Sequence, residues 1–372
     1  MKKIMLAFGT RPEAIKMCPL VRELKSRSGI GVVVCVTGQH REMLYGAMSA
    51  FDVRADYDLS IMRPSQSLFD VTEDVISGME RVLLREMPDI LLVHGDTTTA
   101  FASALAAFYL KIPVGHVEAG LRTGDLYSPY PEEFNRQGIG ILAKYHFAPT
   151  RRARDNLLRE GRKEADVFLV GNTVIDALRF TVREDFSHPL LEWVGDAPLV
   201  LLTAHRRESV GEPQRRIFRA VRRVVEEHGD VRAVYPVHKN PAVREVAEEV
   251  LGGCSRIRLI EPPDTVDFHN FLARSYLVLT DSGGIQEEAP AFGKPTLVLR
   301  ETTERPEGIE AGVARLVGTD EEAVYREFTR LLEDGAAYAE MSHAANPYGD
   351  GFAAKRIADV LENAECRVQN AE

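Results

Sequence analysis

An apolar run long enough to cross a bilayer is missing from this 372-residue chain. A spanning helix needs about 20 consecutive apolar residues, and every apolar stretch here is broken by charge or glycine well before that. The opening "MKKIMLAFGTRPEAIK" turns polar too early for a secretory core. Cysteine is scarce: Cys18, Cys35, Cys254 and Cys366 form no C-x-x-C pair and have no histidine cluster beside them. That excludes a disulfide framework and a sequence-local zinc site, and reads as four reduced thiols. An excess of positive charge is also lacking, since 46 Lys and Arg face 56 Asp and Glu, for a net charge of −10. Non-specific nucleic-acid binding needs a basic surface that releases counterions. A local pair of arginines can still hold a phosphate. G-x-G-x-x-G and G-x-x-x-x-G-K-[ST] are both absent, so neither a dinucleotide nor an ATP site follows. The expectation is a soluble cytoplasmic protein with no membrane or nucleic-acid partner.

What is present is alternation. "KKIMLAF", "GVVVCVTG", "PDILLVHGD", "PVGHVEAG", "YHFAPT" and "DVFLVG" read as strands in the first half. "PLVLLTAH", "VRAVYPVH", "RIRLIEPP", "YLVLTDSGG" and "KPTLVLR" repeat the pattern in the second. Helical patterns such as "SLFDVTEDVISGMERVLLREM" and "EPQRRIFRAVRRVVEEHG" lie between them. Continuously apolar strands alternating with amphipathic helices predict an α/β chain with parallel sheets covered on both faces. The stretch 181–198 has no clean period and carries the only Trp, Trp193. A domain break is expected close to its start. "AAKRIADVLE", 353–362, predicts a final amphipathic helix.

Ligands of such sheets bind beyond the carboxyl ends of the strands. There the first half places "GTRPEAIKM", with Arg11 and Lys16 around a helix start, a plain β-α turn or a phosphate site. It also places Asp96, which reads equally as an N-cap, and Glu118, which no helix follows. Glu132 and Glu133 stand after "PYP", where first-turn acids are ordinary. Clustered carboxylates raise each other's pKa, so the group is a candidate acid–base site. The second half places His205, Arg206 and Arg207 at one strand end and His238 at the next. "TDSGGIQEEA" sets Ser282, Gly283 and Gly284 at a turn whose amides can approach a phosphate, with Glu288 one turn on for a ribose.

"GTRPEAIKM", "TGQHREML", "HGDTTT", "GHVEAGLRTGD", "PEEFNR", "AHRRES", "TDSGGIQEEAPAFGKP", "TTERPEG" and "NPYGDG" occur in this order across nearly the whole chain. Together they resemble the non-hydrolysing UDP-N-acetylglucosamine 2-epimerases. The resemblance implies a GT-B fold: two Rossmann-like doubly wound domains with the active site in the cleft between them. The domains would be 1–172, rejoined by the last helix at about 355–372, and 173–354. It also implies a homodimer that interconverts UDP-GlcNAc and UDP-ManNAc for surface polysaccharides. UDP would be eliminated to a 2-acetamidoglucal and re-added, with no metal or cofactor. It assigns catalysis to Asp96, Glu118, Glu132 and His205. Substrate binding falls to Arg11, Lys16, Arg136, Phe268, Ser282, Gly283, Gly284, Glu288 and Arg305. An allosteric site for a second UDP-GlcNAc would include Gln39, His40, Glu42, Arg206 and His238, and also Glu132.

Departures from the family pattern include Pro263, Phe134 and Ser209 at the active-site motifs, and Glu42 and Ser65 at the allosteric ones. Phe134 is expected to bear on the sugar pocket, which keeps a modified substrate such as UDP-2,3-diacetamido-glucuronate open. Glu42 and Ser65 predict weak activation, with Arg63 as a substitute cation for the effector phosphate. A hydrolysing relative, a GT-B glycosyltransferase and a non-catalytic sensor are the other readings. The intact acids disfavour the sensor.

Overall fold

Seven parallel strands form the first sheet of the computed structural model, which describes residues 1–38, 41–63, 65–206 and 209–364. They are β1 (Lys2–Phe8), β2 (Ile30–Val36), β3 (Tyr57–Asp58), β4 (Ile90–His94), β5 (Val114–Val117), β6 (Tyr145–Ala148) and β7 (Val167–Leu169). Six more form the second sheet: β8 (Leu199–Thr203), β9 (Arg232–Pro236), β10 (Ile257–Ile260), β11 (Leu277–Thr280), β12 (Thr296–Val298) and β13 (Ala314–Leu316). All pairings within both sheets are parallel.

The apolar runs follow from the strand period. In β1, Ile4, Leu6 and Phe8 enter one core cluster, while Met5 and Ala7 enter another. In β8, Val200 and Leu202 face one cluster, and Leu199 and Leu201 face another. Successive side chains point to opposite faces. Helices cover both faces, so the central positions of these strands are apolar.

Strand order places the functional ends. The first sheet runs β3-β2-β1-β4-β5-β6-β7 and the second β10-β9-β8-β11-β12-β13. Each order reverses direction once, between β1 and β4 and between β8 and β11. At such a switch point the loops after the two central strands part to opposite faces and leave a crevice. "GTRPE" and "GDTTT" leave the first switch point, and "AHRR" and "DSGG" leave the second.

The chain divides into Met1–Phe180 with Tyr348–Glu372, and Thr181–Pro347. These limits differ from the expected 172 and 355, and the packing shows why. Asp176, in helix Thr173–Thr181, accepts the Ala353 and Ala354 amides at 3.1 and 2.9 Å. Burial pushes its carboxyl up to about 6, against the opposing effect of those two amides. Asn172 donates its amide to the Tyr348 carbonyl at 2.7 Å. Ile357, Ala358 and Leu361 of the final helix, Ala353–Asn363, join the cluster that holds Met17, Leu20 and Leu24. Residues 173–180 and 348–354 therefore belong with the first sheet.

Candidate active site

At the end of β1, Thr10 caps helix Arg11–Lys25 in a capping box with Glu13. Glu13 is buried, accepts the amides of Gly9 and Thr10 at 3.0 and 2.7 Å, and takes the Thr97 hydroxyl at 2.8 Å. One carboxylate thus fixes both central loops of the switch point. Arg11 is half-buried in the first turn of that helix, and Lys16, one turn further on, is buried.

The Lys16 ammonium forms a buried ion pair with Glu118. His94, at the end of β4, puts Nε2 3.4 Å from Glu118 Oε2, although that nitrogen makes no hydrogen bond among the described residues. Glu118 sits just past β5 with φ of 62°. A non-glycine residue held in the left-handed region costs about 1–3 kcal/mol and points to a side chain that is needed there. Two residues on, Gly120 has φ of 89°, and a Cβ there would lie 2.2 Å from the Ala153 carbonyl oxygen. The loop after Glu118 is therefore pinned to helix Arg151–Arg159 at a spot only glycine fits.

Asp96 does not cap the helix that follows it. Thr97 does, accepting the Ala100 amide at 3.0 Å. The structural explanation for Asp96 is thereby removed. Its carboxylate is paired with Arg136, and its carbonyl accepts Asn135 Nδ2 at 2.9 Å. Both partners lie on helix Glu132–Leu142, where Glu132, half-buried at the first position, is about one turn before Arg136. Buried Arg136 keeps its Nε without a hydrogen-bond partner among the described residues, a donor left for a ligand. Glu133 is structural. Fully buried, it accepts the Thr123 amide at 3.0 Å and Gln137 Nε2 at 2.8 Å. His116 is structural too, since burial holds its pKa well below the ordinary value and Nε2 contacts the Gly95 carbonyl at 2.7 Å.

In the second unit, Asp281 ends β11 with no exposed surface. Its Oδ2 accepts the amides of His205 and Arg206 at 2.5 and 2.7 Å. The His205 ring stacks on His238, with centroids 5.5 Å apart and planes 12° apart. Ser282 precedes helix Gly283–Glu288, and its hydroxyl makes no capping bond. A Cβ on Gly283 would meet Glu304 Oε1 at 3.0 Å, Arg305 Nη2 at 3.8 Å and Arg206 Nη2 at 3.9 Å. Two guanidinium groups therefore converge on a backbone bare of side chain, which suits a diphosphate. Burial works to raise the Glu304 pKa, but Arg305, Arg300 and Arg206 hold it below the ordinary value. Glu287 pairs with Arg305. Glu288 lies at the end of the turn, 3.6 Å from His269 Nε2, and its Oε1 would be 3.7 Å from a Cβ on Gly284. Phe268 is partly buried against the apolar cluster around Phe271.

The family model described as UDP-N-acetylglucosamine 2-epimerase matches residues 22–362. The chain belongs to the UDP-N-acetylglucosamine 2-epimerase family. A Bacillus subtilis UDP-N-acetylglucosamine 2-epimerase is 56% identical over 359 residues, covering 96% of this chain and 94% of the relative. An S. aureus co-structure with UDP is similar at 53% identity and a TM-score of 0.90, covering 98% of this chain and 96% of the other. A Neisseria meningitidis UDP-GlcNAc 2-epimerase bound to UDP-GlcNAc is similar at 45% identity and a TM-score of 0.89, over 97% and 100%.

Two residues raised by the departures from the epimerase family pattern have contacts in this structure. Phe134 follows Glu133 on helix Glu132–Leu142. It is 50% exposed and meets Phe101 edge-on at 5.6 Å, in a groove of about 850 Å³ with Leu68, Phe69 and Tyr127. Arg63 is already paired with Asp74. Of the epimerase-type allosteric residues, Arg206 and His238 lie beside His205, Glu42 is exposed on helix Arg41–Ala50, and Gln39 and His40 lie outside the described residues. Sequence reasoning passed over His94, Asp281 and Glu304. Only Glu13 left a readable signal, the T-x-x-E of a capping box.

Proposed function

We propose that this chain is a non-hydrolysing UDP-N-acetylglucosamine 2-epimerase, an isomerase acting on UDP-GlcNAc and UDP-ManNAc. One observation carries the proposal: a buried carboxylate, Glu118, is held at positive φ beside Lys16 and His94, next to the Asp96–Arg136 pair at the switch point. The C1–O bond breaks with its electron pair leaving on the diphosphate. The C2 proton passes to one carboxylate, and a C1=C2 double bond forms. Another acid returns a proton to the opposite face of C2, and UDP adds back at C1. Asp96, Glu118 and Glu132 are the groups assigned to proton transfer, with Arg11, Lys16 and Arg136 on the sugar side. Carboxylates in differing surroundings can hold split protonation states at neutral pH. His205, Arg305 and the Ser282-Gly283-Gly284 turn stabilise the departing diphosphate. Glu288 and Phe268 are assigned to the ribose and uracil.

The test is product analysis with no acceptor present. UDP-GlcNAc should give a mixture with UDP-ManNAc. Free ManNAc would establish a hydrolysing enzyme, and no turnover would remove the substrate assignment. Run in reverse, pure UDP-ManNAc should react without a long lag. Ser65 supplies no cation at the effector position, and Arg63 is engaged by Asp74. An enzyme inert until UDP-GlcNAc is added would contradict weak activation.

We also infer a homodimer in the cytoplasm. The groove beside Phe134 supports the dimer: Phe69 and Tyr127 are 88% and 79% exposed at its rim, too much apolar surface for an idle face. Phe69→Glu should shift the protein toward monomer in sedimentation velocity. An unchanged sedimentation coefficient would place the contact elsewhere.

A further inference from the structure

Asp281 holds one buried carboxylate oxygen that nothing satisfies. Oδ2 takes the His205 and Arg206 amides, but Oδ1 has no hydrogen-bond partner among the described residues. Leaving a buried acceptor unpaired is costly, so each such atom in a folded protein calls for an explanation. Oδ1 lies 3.5 Å from His205 Nδ1. That is too long for a good hydrogen bond. Catalytic hydrogen bonds often sit long without substrate and tighten in the complex. The ring is otherwise restrained by His238 stacked on its face.

We propose that Asp281 is a positioning residue for His205, taking the Nδ1 proton so that Nε2 is the nitrogen that serves the reaction. A histidine's second ring partner decides its tautomer. With Nδ1–H donated to Asp281, the neutral ring presents Nε2 as a base, and the protonated ring presents Nε2–H to an anion. The carboxylate also favours the protonated ring, which suits a group facing a departing diphosphate. The other charges around the ring are known. Arg206 is next in sequence and reaches the Asp281 carbonyl with Nε at 3.4 Å, and its far end meets Glu304 at 3.4 Å. Tyr235 donates its hydroxyl to the Ala204 carbonyl at 2.5 Å, and burial, with Asp281 nearby, raises its pKa well above the ordinary value. His238 accepts the Asn240 amide on Nδ1 at 3.1 Å. Asp281 presents its Oδ1 to the Nδ1 side of the ring. The catalytic part of the inference rests on the role proposed above for His205, whereas the pairing itself does not.

The experiment uses the full chain labelled with ¹⁵N-histidine and saturated with UDP. The His205 signals are those lost in His205→Gln. Wild-type His205 should carry its proton on Nδ1. Asp281→Asn keeps an oxygen for the two amides but turns an NH₂ toward the ring. It should move the proton to Nε2 and lower the pH at which His205 titrates by about one unit or more. Turnover should fall about tenfold or more, with UDP affinity within about threefold of wild type. In the His205→Gln background the same change should cost less than about twofold, because residues acting as a unit are not additive. A neutral wild-type His205 ring protonated on Nε2 and not on Nδ1 would overturn the pairing without any need for Asp281→Asn to fold. An equal loss in both backgrounds would show that Asp281 acts through the backbone alone. If His205→Gln turns over normally, the role of His205 fails, while the tautomer still decides the pairing.

Discussion

Glu118→Gln should lower turnover by about a hundredfold or more, the usual worth of a general acid–base group. UDP affinity should change little, because the Gly283 turn proposed to hold the diphosphate belongs to the other unit. The substitution is nearly isosteric, so a loss of rate would report the missing charge. The backbone supplies an independent reason to expect a large effect. Glycine would adopt φ of 62° freely, yet the position holds glutamate. Strain kept at a strand end for a carboxylate is an expected mark of a functional position. A Glu118→Gln enzyme with a near-normal rate would remove Glu118 from the mechanism.

Lys16→Met should harm both stability and turnover. The pair is buried, with 11% and 7% of the two side chains exposed. Breaking a buried ion pair from one side typically costs about 3–5 kcal/mol, because the remaining charge stays out of water. Replacing both partners removes that penalty. Lys16→Met with Glu118→Gln should therefore recover most of the stability lost in the single variant, while turnover stays at or below the level of Glu118→Gln. Denaturant unfolding and initial rates on the three proteins measure this. A double variant no more stable than Lys16→Met would mean that the ammonium contributes mainly through its packing.

β1, β4 and β8 were the easiest strands to read, because burial on both faces keeps their central positions apolar. β3 and β13 left no such trace. They are edge strands of two and three residues, partly exposed, and their pairing is set by neighbours distant in sequence. The site divides in the same way. Glu118 stood out because an acid after a buried strand, with no helix to cap, needs a reason, whereas Asp96 read equally as an N-cap, a role that Thr97 takes. Asp281 did not stand out, because "TDSGG" reads as a turn and its partner His205 lies 76 residues earlier. Glu132 and Glu133 looked alike in sequence. They separate only once one is seen capping Thr123 and the other opening the helix that holds Asp96. The positive φ of Glu118 is a tertiary fact, fixed by where the chain must go between β5 and Gly120.

The central claim is that protein carboxylates move the C2 proton of a UDP-sugar through solvent exchange. Incubating the protein with UDP-GlcNAc in D₂O and following C2 by proton NMR tests it most directly. The account predicts that UDP-ManNAc appears with deuterium at C2, that recovered UDP-GlcNAc gains deuterium over time, and that Glu118→Gln slows both. UDP-ManNAc formed with its original proton still on C2 would contradict it.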